Sequence, residues 1–350
     1  MPTGSTTQAW VAASLDPDGV AGATNLAAMQ QRQVGRTGLR VSRLGLGTWL
    51  WGKDTDVHEA RDQLAAFADA GGTLVDTAAG YGDGLSEQLL GAMLGDVVDR
   101  DDVVLATKAG TGVRAGRHVR DTSRGAMLRQ LDRSLQLLGV DAVDLWQVHV
   151  WSADSPLEET LSALELAVTS GRACYVGISN YTGWQTAQAA TVQSCTPGRT
   201  PLASTQVEYS LLNRDVEEEV LPAASALGLG VLAWAPLGRG VLTGKYRSGI
   251  PADSRGASPA LEANVAGYLD QHSRGIVEAV CRAAEGLELS PLEVALAWVR
   301  DRPGVTSALV GARTAAQLRG VLTAEDVTLP AAIVAALDDV SGPELPELPA

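Results

Sequence analysis

The chain has 350 residues, 45% of them hydrophobic, which is enough apolar material for a large core of the size that α/β barrels build as one domain. Its formal net charge of −14 repels nucleic acid and anionic lipid, so neither is expected as a partner. No apolar run approaches the roughly 18 residues that a membrane-spanning helix needs.

Residues 1–30 lack the basic start and compact apolar stretch of a secretion signal, so a cytoplasmic protein with a weakly structured N-terminal extension is expected. Met29 marks either the true start or the domain edge. Cys174, Cys195 and Cys281 lie far apart without a CxxC pair, so they are expected as buried small hydrophobes and not as a disulfide framework or a metal site.

From Gln31 onward, "RQVGRTGLRVS" reads as two short strands around Thr37-Gly38, a hairpin. After it come eight β-rich runs: Leu44 to Trp49, Thr73 to Ala78, Val103 to Lys108, Val143 to His149, Cys174 to Ser179, Ser204 to Tyr209, Gly230 to Ala235 and Ser307 to Gly311. Helical patterns separate them. Val57 to Ala70 closes at Gly71-Gly72, as a helix C-terminus does. "SPLEETLSALELAV" and "SPLEVALAWVRD" each put Ser before Pro with Glu three residues on, so Ser155 and Ser290 are expected to start helices with capping boxes.

The strand runs do not alternate strictly, as is usual for parallel strands covered on both faces. Eight such units without a dividing linker favour a (β/α)8 barrel over residues 31–340, capped by the N-terminal hairpin. Two segments break the rhythm. A long loop after strand 7 runs to a helix beginning near Asn264, and an extra helix, "LPAAIVAALDDV", precedes an acidic, Pro-rich tail over residues 341–350 that is expected to be disordered. The arginine-rich "RAGRHVRDTSR" after strand 3 reads as a solvated loop leading to a helix cap at Asp121 or Thr122, with attraction of an anionic substrate as the alternative.

In such a barrel the strand C-termini build the active site. Strand 2 ends on Asp76, strand 3 on Lys108 and strand 4 on His149, and Tyr81 follows five residues after Asp76 in a glycine-rich loop. Each alone has a plain explanation: a turn cap, a solvated strand end, a core histidine. Three neighbouring strands ending on an acid, a lysine and a histidine are harder to dismiss. Lys108 is the natural partner for Asp76, and an ammonium beside Tyr81 is expected to lower the phenol pKa. Tyr81 would then serve as a general acid near neutral pH, with His149 on the same substrate oxygen. Carbonyl reduction fits that set, and it requires a hydride donor.

The segments "GRTGLRVSRLGLGTW", "VDTAAGYGDGLSE", "LATKAG", "DLWQVH", "GISN", "QVEYSLLNR", "WAPLGRGVLTGKY" and "VGARTAAQL" resemble the aldo-keto reductases over about residues 32–325. Within that family the chain looks most like the potassium-channel β subunits and bacterial general-stress or sugar-ketone reductases. The resemblance implies Tyr81 as general acid, Lys108 and Asp76 as the groups tuning it, and His149 as orienter of the carbonyl. It implies NADPH, with NADH as the alternative. Ser179, Asn180 and Gln206 would lie on the nicotinamide carboxamide, with Trp234 stacked on the ring, and Thr48, Trp49 and Asp76 would also contact the cofactor. Ala235, Pro236, Leu237, Gly238 and Gly240 would approach the pyrophosphate, aided by Lys245 and Arg255. Gly311, Arg313 and Gln317 would hold the adenosine phosphate. The match departs at Gly320-Val321, where many relatives carry Glu-Asn on the adenine.

Trp49, Trp51 and Trp151, together with Tyr81 and His149, are expected to line a pocket for a small carbonyl compound such as a sugar ketone or an apolar aldehyde, with a core or rim role for the three tryptophans as the equal alternative. No metal is expected, and a homo-oligomer is compatible with the sequence. Two rival functions stand beside the reductase: a cofactor-bound interaction module with slow turnover, and a Schiff-base lyase using Lys108.

Overall fold

The computed structural model describes residues 29–342 apart from 115 and 260. The expected extension and tail lie outside the described residues, except for their inner ends. Eight parallel strands close into one barrel in chain order: β1 (Leu44–Gly47), β2 (Leu74–Asp76), β3 (Val104–Ala109), β4 (Val143–Val148), β5 (Ala173–Ser179), β6 (Ser204–Glu208), β7 (Gly230–Trp234) and β8 (Val305–Val310). All eight expected runs are therefore strands. No single helix among the described residues is long and apolar enough to cross a membrane.

Side chains on successive strand residues point to opposite faces, so alternate positions line the barrel interior. Leu74, Val104, Ala106, Leu145, Tyr175, Leu232 and Leu309 form an inner apolar cluster there. Space in it is tight, because a Cβ on Gly45 would come within 2.6 Å of a Leu309 methyl. The N-terminal hairpin, Gln31–Gln33 paired with Arg40–Ser42, sends Val34, Leu39 and Val41 into the same cluster and closes the bottom of the barrel. Burying each of these side chains is worth about 1.5–3 kcal/mol.

The helices cover the outside. α1 (Val57–Asp69) starts at Asp56, whose carboxylate accepts from the His58 and Glu59 amides. It is followed by α2 (Leu85–Gly91), α3 (Arg124–Leu138), α4 (Leu157–Thr169), α5 (Gly183–Cys195) and α6 (Val220–Leu227). After the long β7 loop come α7 (Glu262–Ala266), α8 (Gln271–Leu287), α9 (Pro291–Arg300), α10 (Ala315–Leu322) and the extra C-terminal α11 (Ala331–Ser341). The helix expected near Asn264 is thus the short α7, with the longer α8 behind it.

Four local expectations are corrected. Ser290 makes its capping box, but α4 begins at Leu157 after an extended Pro156 (ψ 134°), one residue too late for Ser155 to cap it. α3 begins after Ser123, and Asp121 turns its carboxylate onto the Ser123 amide and hydroxyl. The arginine-rich segment after β3 is ordered as an antiparallel hairpin, Thr111–Arg114 with Arg117–Arg120. Of the three cysteines only Cys281 is buried.

Candidate active site

The alternation that fills the barrel with leucine and valine places polar residues at its C-terminal end. Along β2 the inward series Leu74, Asp76 changes from apolar to acidic, and along β3 the series Val104, Ala106 ends on Lys108. β4 continues from Leu145 to Gln147 and then His149, while β5 and β6 bring Ser179 opposite Gln206. One end of the barrel is thus packed and the other is chemical.

Lys108 is completely buried and its ammonium donates to three oxygens: Asp76 Oδ2 at 2.6 Å, the Thr77 carbonyl at 2.8 Å and the Tyr81 hydroxyl at 3.3 Å. Gln206 Nε2 donates to the other Asp76 oxygen at 2.9 Å. Both carboxylate oxygens are satisfied, which offsets the cost of burying a carboxylate that is only 2% exposed.

Burial disfavours the Lys108 charge, but Asp76 and then Tyr81 outweigh it and hold the lysine above its ordinary pKa. Burial also dominates at Tyr81 and pushes its phenol up, against the downward pull of Lys108. The expected lowering of the phenol pKa is therefore corrected: the ammonium limits a rise that desolvation drives.

The Tyr81 and His149 rings meet edge to face with centroids 5.7 Å apart. Burial, helped by the Lys108 charge, pushes His149 down to about 3, so the imidazole is neutral at physiological pH. Its Nδ1 lies 3.0 Å from Thr111 Oγ1 on the hairpin after β3, and its carbonyl accepts from Asn180 Nδ2 at 2.9 Å. Asn180 has a left-handed backbone (φ 58°) and also accepts from Trp234 Nε1 at 3.0 Å, while its amide donates to Ser179 Oγ. Thr48 packs behind this group, its hydroxyl 2.7 Å from Ser86 Oγ and 3.1 Å from the Asp76 carbonyl.

The loop after β7 supplies a different surface. Gly238, Arg239 and Gly240 are consecutive left-handed residues, with φ of 53°, 57° and 93°. Glycine meets this requirement without strain at two of the three positions. A Cβ on Gly240 would stand 3.2 Å from Lys245 Nζ, so the lysine lies across the loop. Lys245, Arg255 and Arg313 share one region, for each bears on the Lys245 or Arg255 titration. Burial first, then the Arg255 and Arg313 charges, lowers Lys245, while burial and the Arg239 and Arg313 charges lower Arg255.

Carboxylates neutralise this group only in part, with Asp54 acting on Arg255 and Asp253 on Lys245. Glu208 pairs with Arg239 at 3.1 Å, and Arg313 has the largely exposed Asp253 at 3.9 Å. Lys245 and Arg255 make no ion pair among the described residues. Clustered cations in a chain of net charge −14 fit a polyanion such as a dinucleotide pyrophosphate. Arg313 sits just before α10, its amide held by Gln317 Oε1 at 3.0 Å, and the exposed Gly311 precedes it. Trp49 carries Arg255 on its ring at 5.7 Å and Lys53 at 6.0 Å, and Trp234 carries Arg239 at 5.2 Å. Ala235 (φ 52°), Pro236 and Leu237 join Trp234 to this loop.

The tryptophans divide. Trp51 has no exposed surface, and its indole donates to Gln63 Oε1 on α1, so it belongs to the core and not to a substrate pocket. Trp151 is half-buried and meets Tyr181 and Trp184 edge to face, at 5.1 and 5.4 Å. Trp184 is 58% exposed, which makes this group an aromatic rim. The sequence reading missed Thr111, Arg239, Tyr181 and Trp184. Thr111 carried no signal because its role depends on a hairpin read as a loop. Arg239 had one, since it lies between two glycines already assigned to the loop.

The Aldo/keto reductase family model matches residues 43–341. A probable voltage-gated potassium channel subunit beta of rice is 36% identical over 310 residues, covering 85% of this chain and 92% of the relative. The uncharacterized oxidoreductase YrpG of Bacillus subtilis is 37% identical, covering 91% of this chain and 99% of its own. The L-glyceraldehyde 3-phosphate reductase of Escherichia coli K12 is 35% identical, covering 83% and 86%.

Proposed function

The chain belongs to the aldo/keto reductase family, and from that premise we propose that it is an NADPH-dependent oxidoreductase that reduces an aldehyde or ketone to an alcohol. The observation that carries the reading is the Asp76–Lys108–Tyr81 chain, with the neutral His149 ring against Tyr81.

NADPH would supply the hydride to the carbonyl carbon. As charge develops on the carbonyl oxygen, Tyr81 transfers its phenolic proton there. Lys108, kept protonated by Asp76, stabilises the tyrosinate left behind, and because the Thr77 carbonyl and Asp76, itself held by Gln206, keep it in place it needs no rearrangement to do so. With Thr111 donating to Nδ1, the other nitrogen of His149 carries its hydrogen and donates to the same carbonyl oxygen. The high phenol pKa suits this order of events, since Tyr81 keeps its proton until the oxygen becomes basic.

Ser179, Asn180 and Gln206 are assigned to the nicotinamide amide, with Trp234 beside the ring. Gly238, Gly240, Lys245 and Arg255 are assigned to the pyrophosphate, and Arg313 with Gln317 to the 2′-phosphate. The cationic group supports the fit, because it lacks enough carboxylates to balance itself. The reading places one catalytic barrel over residues 31–340, working in the cytoplasm on a small carbonyl compound.

The similarity to the rice channel subunit favours a second reading, a nucleotide-bound subunit with slow turnover. The complete tetrad argues for turnover. A lyase has less support, since Asp76 keeps Lys108 protonated and so a poor nucleophile.

Titration with NADPH and with NADH, followed by tryptophan fluorescence, tests the assignment. Tighter binding of NADPH supports it. No binding of either nucleotide removes both the reductase and the nucleotide-bound subunit.

A further inference from the structure

The hairpin after β3 has two faces, and its register says which residues share each. Thr111 pairs with Arg120 and Val113 with His118, while Gly112 pairs with Val119 and Arg114 with Arg117. Directly opposed residues share a face, and the face alternates along the strand. Thr111 reaches His149 Nδ1 at 3.0 Å, so its face looks onto the reacting groups. The opposite face looks toward α3, because a Cβ on Gly112 would lie 3.8 Å from Gln130 Nε2. Arg120 therefore springs from the Thr111 side, about 5 Å across the strand pair from the residue that touches the catalytic histidine.

Arg120 is exposed and makes no ion pair or hydrogen bond among the described residues. In a chain with 41 acidic and 27 basic residues, an unpaired arginine at that position is conspicuous. The neighbouring Asp121 is turned onto Ser123. Val113 and His118 form the next row out on the same face, and Val113 is 47% exposed. Among the described residues, this face of the hairpin beside His149 thus offers the free Arg120 guanidinium, flanked by the exposed Val113 and by His118.

We propose that Arg120 is a specificity-determining residue that recognises an oxyanion on the substrate, so that the protein prefers aldehydes or ketones carrying a phosphate or carboxylate a few bonds from the carbonyl. The inference rests on the reductase reading and deepens it. A guanidinium suits both groups because its planar fork offers paired N–H donors to two oxygens. Lysine would offer charge without that fork.

The test is steady-state kinetics at saturating NADPH with two matched pairs: glyceraldehyde 3-phosphate against glyceraldehyde, and succinic semialdehyde against butanal. Wild type should favour at least one anionic twin, and which one identifies the oxyanion. In Arg120→Gln the anionic-to-neutral ratio of kcat/KM should fall about 10- to 100-fold, mainly through KM, with partial recovery in Arg120→Lys. KM for the favoured anion should also rise with salt. Wild type reducing the neutral twins as well as the anionic ones overturns the inference and leaves the reductase reading standing. An unchanged ratio in Arg120→Gln does the same. Failure to reduce any of the four compounds overturns the reductase reading, and this inference with it.

Discussion

Lys108 Nζ stands 2.6 Å from Asp76 Oδ2 inside the closed barrel, with the lysine wholly buried and the aspartate 2% exposed. Each charge makes the other tolerable there, and together they fix the electrostatics at the Tyr81 hydroxyl.

Removing one partner should therefore cost both stability and chemistry. Asp76→Asn should destabilise the fold by about 3–5 kcal/mol, because a buried ammonium is left without its counter-charge. The pH dependence should change sign as well. In wild type the Lys108 pKa is raised, so its contribution is full below the ordinary lysine value and is lost only as pH rises past it. In Asp76→Asn the largest raising influence is gone and burial, the largest influence of all, is opposed only by Tyr81, so that pKa should fall and stability should instead be lost as pH falls toward neutrality. Urea unfolding midpoints across the alkaline range measure this. An unchanged alkaline profile would contradict the pairing.

His149 should dominate a second pH effect. Its pKa is about 3 in the fold, against about 6.5 unfolded. The unfolded chain takes up the proton first, so stability is full above about pH 6.5 and is lost as pH falls toward 3, at up to about 1.4 kcal/mol per unit from this group. His149→Gln should flatten that part of the stability curve relative to wild type. For the same reason carbonyl reduction should show no histidine limb between about pH 5 and 8.

Thr111→Val should leave the imidazole free to change tautomer. The expected loss is about tenfold in kcat, one hydrogen bond's worth, with NADPH affinity retained. Nitrogen chemical shifts of His149 should show a mixture of tautomers in the variant and one in wild type. A single unchanged tautomer would remove Thr111 from the mechanism.

Arg313→Ala should weaken NADPH binding about 10- to 100-fold and NADH binding far less, since only the 2′-phosphate loses a charged partner. Equal weakening of both would move Arg313 away from that phosphate.

The barrel was legible in the sequence because its signals are local. Eight β-rich runs with helical spacers gave the strands in order, and Ser290-Pro291 with Glu293 gave a helix start. The acid, lysine and histidine at successive strand ends were legible for the same reason: strand neighbours in the chain are neighbours in the barrel. What could not be read depends on distances the chain pattern does not encode. Ser155 carries the same motif as Ser290 but misses its helix by one residue, because Pro156 takes an extended ψ. Trp51 lies two residues beyond Trp49 yet turns into the core toward Gln63. The Tyr81 phenol is set by a balance of burial against charge, and only the depth of burial decides its direction. Gln206 was assigned to the nicotinamide, and its bond to Asp76 becomes apparent only once β6 faces β2 across the interior.

The most direct measurement is NADPH consumption by wild type and Tyr81→Phe with a carbonyl substrate, paired with NADPH affinity from tryptophan fluorescence. Tyr81→Phe should bind NADPH as tightly as wild type and lose about 10²- to 10⁴-fold in kcat, the contribution of a positioned acid. A variant that keeps the wild-type rate would contradict the assignment of Tyr81 as the proton donor.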